Sequence, residues 1–181
     1  IRVNRPLSTD ATLSALTVSA GSLNPSFSPS VTSYTVNVDN NTDNITITPV
    51  ANNPNYYRIH VDGTAVTSGS ASSPIGLPVG SKTITIRVWP QTGPTHKDYA
   101  VTFVRAGSGN ANLSALTLSP GGLNESFSAD VIEYTADVPN ETSSVTVDST
   151  VADNTATVAV SGASPLSVGP NTVTVTVTAQ N

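Results

Sequence analysis

The stretch from Leu13 to Thr35 is written twice, and the second copy lies 100 residues after the first. Leu13-Ser14-Ala15-Leu16-Thr17, then Gly21, Leu23-Asn24, Ser26-Phe27-Ser28, Val31 and Tyr34-Thr35, returns as Leu113-Ser114-Ala115-Leu116-Thr117, then Gly121, Leu123-Asn124, Ser126-Phe127-Ser128, Val131 and Tyr134-Thr135. So long a period accommodates a full set of short strands, which predicts tandem domains rather than a solenoid of small units. Within 181 residues this means two domains of ordinary sandwich size.

The chain is rich in Thr, Ser, Val and Asn, with 10% charged and 5% aromatic residues, a composition that favours pleated strands over helices. No window sustains a helical period. Ile45 and Ile47 alternate with Thr46 and Thr48, the period-two signature of a half-buried strand, and Ile84, Ile86 and Val88 read as the inward residues of a central strand. Asp39 to Asp43, Asn52 to Asn55, Asp62-Gly63 and Gly93-Pro94 supply turns. By parity, Tyr57, Ile59 and Val61 face inward and Tyr56, Arg58 and His60 outward.

Residues 1–5 align with Val101 to Arg105 at the same offset of 100, Ile1 and Val3 matching Val101 and Phe103. The alignment predicts that 1–5 is the last strand of a preceding repeat and 6–11 a linker. The first sandwich then spans 12–105, a second linker 106–111, and the second sandwich 112–181. The second repeat stops at the point matching Gln91 or Thr92 of the first, so it is expected to lack its closing strand and to expose an unpaired edge. Ile1 to Arg5 of one molecule is a strand of the missing type, which suggests head-to-tail strand exchange between fragments.

The net charge of −5 with only 7 Lys and Arg speaks against nucleic acid as a partner. The absence of cysteine excludes disulfides and zinc-thiolate sites. No apolar run approaches the ~18 residues of a membrane span, so no membrane insertion is expected.

The pattern carried by Leu13, Leu16, Gly21, Leu23, Phe27, Ser28, Val31, Tyr34 and Val38, and continued by Leu77, Val79, Gly80, Ile84, Ile86, Val88, Lys97, Tyr99, Val101, Phe103 and Arg105, resembles the cadherin-like β-sandwich module of bacterial surface proteins. The resemblance implies an all-β chain of two tandem immunoglobulin-like (cadherin-like) β-sandwiches, the second without its closing strand. It implies an extracellular, bacterial cell-surface setting among other domains of the same polypeptide, and it brings no catalytic residues. The acidic calcium motifs of true cadherins are missing from both linkers, where Asp10 is the one carboxylate.

Catalysis needs a nucleophile with a base, paired carboxylates or a metal cluster. His60 and His96 have no such companions in sequence, so neither a catalytic residue nor a cofactor is expected. Asp39, Asn40, Asn41 and Asp43 offer oxygen ligands for weak calcium binding. Asx clusters are common in turns for conformational reasons, however, and the reading adopted is a turn with no metal. The sharper candidate is carbohydrate: Trp89, one parity step off Val88, and outward Tyr56, His60, Arg58 and Arg87 would form an exposed aromatic patch suited to stacking on a sugar. The simpler alternative is that Trp89 closes a cross-strand pair. The function expected is a non-catalytic structural spacer or stalk, with polysaccharide binding by that patch as the alternative.

Overall fold

A computed structural model of the chain describes residues 1–180 and divides it into two compact units, Ile1–Ala106 and Gly107–Asn181. Every element is a strand. The first unit holds β1 (Leu13–Val18), β2 (Ser33–Val38), β3 (Asn44–Ile45), β4 (Ile47–Ala51), β5 (Arg58–Val61), β6 (Thr64–Val66), β7 (Ile75–Gly76), β8 (Gly80–Trp89) and β9 (Lys97–Arg105). The second holds β10 (Leu113–Ser119), β11 (Thr146–Val151), β12 (Thr157–Ser161) and β13 (Thr174–Thr178).

One layer of the first unit is a five-stranded sheet in the order β2-β9-β8-β5-β6. Its strands are antiparallel except β2, which runs parallel to β9, so the strand near the start of the unit lies beside the strand that closes it. The other layer is built from the pairs β1-β4 and β3-β7, with only Thr46 between β3 and β4. Each strand buries alternate residues between the layers, as the period-two reading predicts. The core runs through Tyr34 and Val36 on β2, Ile45 and Ile47, Ile59 and Val61 on β5, Ile84 to Val88 on β8, and Tyr99, Val101 and Phe103 on β9.

Leu13 and Leu16 are both buried although three residues apart, which a regular strand forbids. The β1-β4 register shifts between Leu13 and Ala15, so a bulge at Ser14 returns Leu16 to the core side. The Ser14 hydroxyl lies 3.4 Å from the carbonyls of Val50 and Ala51, and the second unit repeats the device at Ser114.

Gly21 has a φ of 72°, and a Cβ there would lie 2.7 Å from the Asn37 carbonyl oxygen. Gly121, with a φ of 104°, meets the Asp137 carbonyl in the same way. Only glycine lets the backbone pass this close to the following strand. Tyr34 closes the next loop: its hydroxyl accepts the Ser28 N–H and has the Ser28 and Val31 carbonyls as acceptors at 2.8 Å. Tyr134 holds Ser128 likewise.

The two units differ most where β9 lies. In the first, β9 fills the slot between β2 and β8, and the Tyr99 hydroxyl accepts the Leu13 N–H at 3.1 Å and donates to the Pro29 carbonyl at 3.0 Å. In the second, no strand follows β13 among the described residues. There the alternation persists, but no residue becomes fully buried: Val173, Val175 and Val177 stay half-exposed and Val158 and Val160 are exposed. Between its layers lies a trough of about 780 Å³, lined among others by Leu116, Leu123, Phe127, Tyr134, Val147 and Val175.

Residues 1–5 form no strand within the first unit, and Ile1 and Val3 are exposed. The segment after them is tied down: the Ser8 N–H donates to the Gln91 side chain, the Ser8 carbonyl accepts the Thr92 N–H, and Asp10 receives Thr12 and the Asn52 amide.

Candidate functional site

Trp89 closes β8 on the outer face of the five-stranded sheet, the side that parity predicts. Its exposure is not as predicted, for only 9% of it remains accessible. The cause is cross-strand. Arg58 stands directly opposite on β5 and lays its guanidinium over the indole, 4.2 Å from the ring centroid. His60 meets the ring edge-on at 4.9 Å, His96 lies at 5.7 Å, and Arg87 approaches at 5.7 Å. The indole is therefore the floor of a polar cluster rather than an open platform.

Tyr56 does not join this cluster, contrary to the outward position read for it. It is half-buried against the core, and its hydroxyl accepts the Ser68 N–H at 2.9 Å. Tyr57, predicted inward, is 64% exposed and lies 5.2 Å from the Arg58 guanidinium. The physical reason is that β5 begins only at Arg58. Tyr56 still belongs to the preceding turn, its N–H bonded to the Asn53 carbonyl, and parity cannot be extended through a turn. Of the five proposed ligand-binding residues, Trp89, Arg58, His60 and Arg87 are brought together and Tyr56 is not.

Two residues beside the cluster were not placed in the patch from sequence, His96 and Asp98. Arg87 pairs in register with Asp98 across the β8-β9 hairpin, and the guanidinium grips the carboxylate with two hydrogen bonds of 2.7 Å. The signal was available, since opposite charges flank the Gly93-Pro94 turn. His96 Nε2 lies 3.9 Å from the same carboxylate.

The Arg87 hydrogen bonds hold the Asp98 carboxyl below its ordinary value, against a smaller opposing effect of burial. A depressed acid stabilises the fold above its unfolded pKa, and the contribution is lost as pH falls through the folded value. Both partners are more than a third exposed, so solvent screening keeps the pair's contribution to stability small. We expect wild type to be slightly more stable than Asp98→Asn at pH 7. The gap should shrink once pH drops below the ordinary aspartate value of 3.8. Urea midpoints of the two proteins from pH 7 to 2 measure it; a gap that widens in acid would contradict the assignment.

Residues 39–43 form the turn that the sequence reading adopted. The Asp39 carbonyl accepts the Thr42 N–H, Asp43 accepts the Asn44 side-chain amide, and Asn40 donates to the Ala106 carbonyl. Arg105 at the end of β9 is used inside the first unit, donating to the carbonyls of Asn40 and Leu77 at 2.8 and 2.7 Å. Among the described residues no three acidic, histidine or cysteine side chains gather as a metal site would require.

The framework that both units share, the Ser bulge, the buried-turn glycine and the capping tyrosine, is matched by a known domain model. The cadherin-like beta sandwich domain aligns with residues 13–106 and again with 113–181. The chain belongs to this family. Its two cadherin-like repeats thus coincide with the two copies seen in the sequence, and the fold is all-β as expected. The chain is also similar to part of a protein of Evansella cellulosilytica named "Putative membrane protein", 36% identical over 84 residues, which cover 41% of this chain. The matched stretch is 13% of that protein's length. No helix among the described residues is long and apolar enough to cross a membrane.

Proposed function

We propose that these cadherin-like repeats are non-catalytic spacers of a multidomain protein exposed at a bacterial surface or secreted, holding neighbouring modules apart. The observation that carries the reading is what the repeats have in common. Residues that build the sandwich recur: Leu13 and Leu113, Leu16 and Leu116, Gly21 and Gly121, Tyr34 and Tyr134. The outward cluster does not. The strand registers put Thr157, Ala159, Thr176 and Thr178 where the first repeat has Arg58, His60, Arg87 and Trp89. A scaffold kept while its surface changes suits a module whose work is to fold and to occupy length.

The glycan-binding alternative rested on an open indole, and the covering of Trp89 by Arg58 withdraws that support. Affinity electrophoresis against a panel of soluble and insoluble polysaccharides, with Trp89→Ala alongside, tests the choice. A spacer migrates unchanged in every gel. Retention by one polysaccharide that disappears in Trp89→Ala would replace the spacer reading with a lectin.

A further inference from the structure

Strand β4 of the first unit pairs with β1 along one edge, and an internal loop covers the other. Ile47, Pro49 and Ala51 turn their backbone groups to that outer side. The Ile47 N–H donates to the Ser72 hydroxyl at 3.1 Å, and the Ile47 carbonyl accepts the Ser72 N–H at 2.9 Å. The Pro49 carbonyl accepts the Gly69 N–H at 2.8 Å, and the Ala51 N–H donates to the Ser68 hydroxyl at 2.9 Å. Proline at position 49 has no N–H of its own to leave bare. Strand β11 is the counterpart of β4, in the same register against β10, and it pairs with β10 alone. The covering loop is missing there: fifteen residues separate Val61 from Leu77, but five separate Val160 from Leu166. Ala163 still accepts the Val145 N–H. Among the described residues, no hydrogen bond engages the outward N–H groups of Val147, Ser149 and Val151 or the outward carbonyls of Val147 and Ser149.

We propose that the outer edge of β11 binds an extended segment of another protein, apolar on one face and basic on the other. The first unit supplies the template for its direction, since residues 68–72 run antiparallel to β4, from Ala51 towards Ile47. Main-chain hydrogen bonds to Val147, Ser149 and Val151 supply the affinity, and Ser149 offers at the centre the N–H that Pro49 lacks. Side chains alternate along the edge, so Val147 and Val151 share one face and Asp148 lies on the other. A residue opposite Asp148 pairs with it best as lysine or arginine. Asp148 has no ion-pair partner among the described residues, and the first unit has Thr48 at its place. Charge also decides between partners. Residues 107–181 hold seven carboxylates and no Lys, Arg or His, so a second copy of this edge is repelled and a basic strand is drawn in. The inference goes beyond the spacer reading, for it gives one of the two repeats a partner.

The test is an NMR titration of the full chain, isotope-labelled, with a blocked heptapeptide that alternates valine and lysine. The amide signals of Val147, Ser149 and Val151 should move and gain protection from exchange, while those of Ile47 and Ala51 stay in place. Ser149→Pro copies the residue that the first unit carries at this position, so the strand tolerates it, and it should weaken binding about fivefold or more. Asp148→Thr, again the first unit's residue, should weaken it roughly twofold to fivefold. Glutamate in place of each lysine of the peptide should abolish binding, and so should methylation of the valine nitrogens, which removes the main-chain donors and keeps the charge. Absence of binding, equal binding of the glutamate or methylated peptide, affinity unchanged in Ser149→Pro, or shifts confined to residues 134–138 and 169–173 would each overturn the proposal. The spacer reading is decided by polysaccharide retention, so failure of either leaves the other standing.

Discussion

Phe103→Ala should lower the stability of the first unit by about 3–5 kcal/mol, the usual cost of emptying a fully buried aromatic site. Phe103 is wholly inaccessible on β9, enclosed between β2 and β8 and facing the second layer. Val175→Ala in the second unit is the informative contrast. Val175 faces the trough and is half-exposed, so its truncation removes little buried surface and should cost less than about 1 kcal/mol. Trp89 is the only tryptophan and lies in the first unit, so its fluorescence in a urea titration follows that unit alone, while circular dichroism follows both. Equal costs at the two sites would mean that the trough is filled in solution.

The second large effect should come from giving the second unit a closing strand. Joining a copy of the Gly93–Arg105 sequence after Asn181 places the duplicate of β9 in line with β8 and its counterpart β13, the 89-residue spacing that Gly80 and Gly169 or Val88 and Val177 show. The duplicate of Tyr99 would then accept the Leu113 N–H, as Tyr99 accepts that of Leu13 in the first unit. Residues 134–138 and 169–173 should become hydrogen-bonded strands and gain protection in amide exchange. A gain of about 2 kcal/mol would raise the unfolding midpoint of a unit this size by roughly 10 °C. Unchanged exchange at residues 169–173 would show that the trough is not a strand-binding slot.

The sandwich was readable from sequence because its determinants are local and were printed twice. Ile45 and Ile47, and Ile84, Ile86 and Val88, occupy the inward places that alternation predicts for them. The candidate site was legible only in part. Parity put Trp89 on the correct face of β8, yet its burial depended on Arg58, 31 residues earlier, reaching across from β5. Tyr56 and Tyr57 exchanged roles because β5 begins only at Arg58, a boundary that no side-chain pattern announces. The parallel neighbour β2 beside β9 was likewise invisible, since alternation says which residues of a strand face inward but not which strand lies next to it.

By itself, then, the sequence determined that the chain is two copies of one β-sandwich, that the copies share Gly21 and Gly121, Ser14 and Ser114, and Tyr34 and Tyr134, and that residues 1–5 repeat the type of Val101 to Arg105. Those are matters of short-range pattern and of self-comparison, which need no coordinates. The tertiary structure alone decided that Trp89 is roofed by Arg58, that Arg105 is spent on Asn40 and Leu77, and that the second unit's apolar residues face an open trough. Each of these depends on which strand lies beside which, and that is set by the packing of two layers across distant parts of the chain rather than by any residue's own neighbours in sequence.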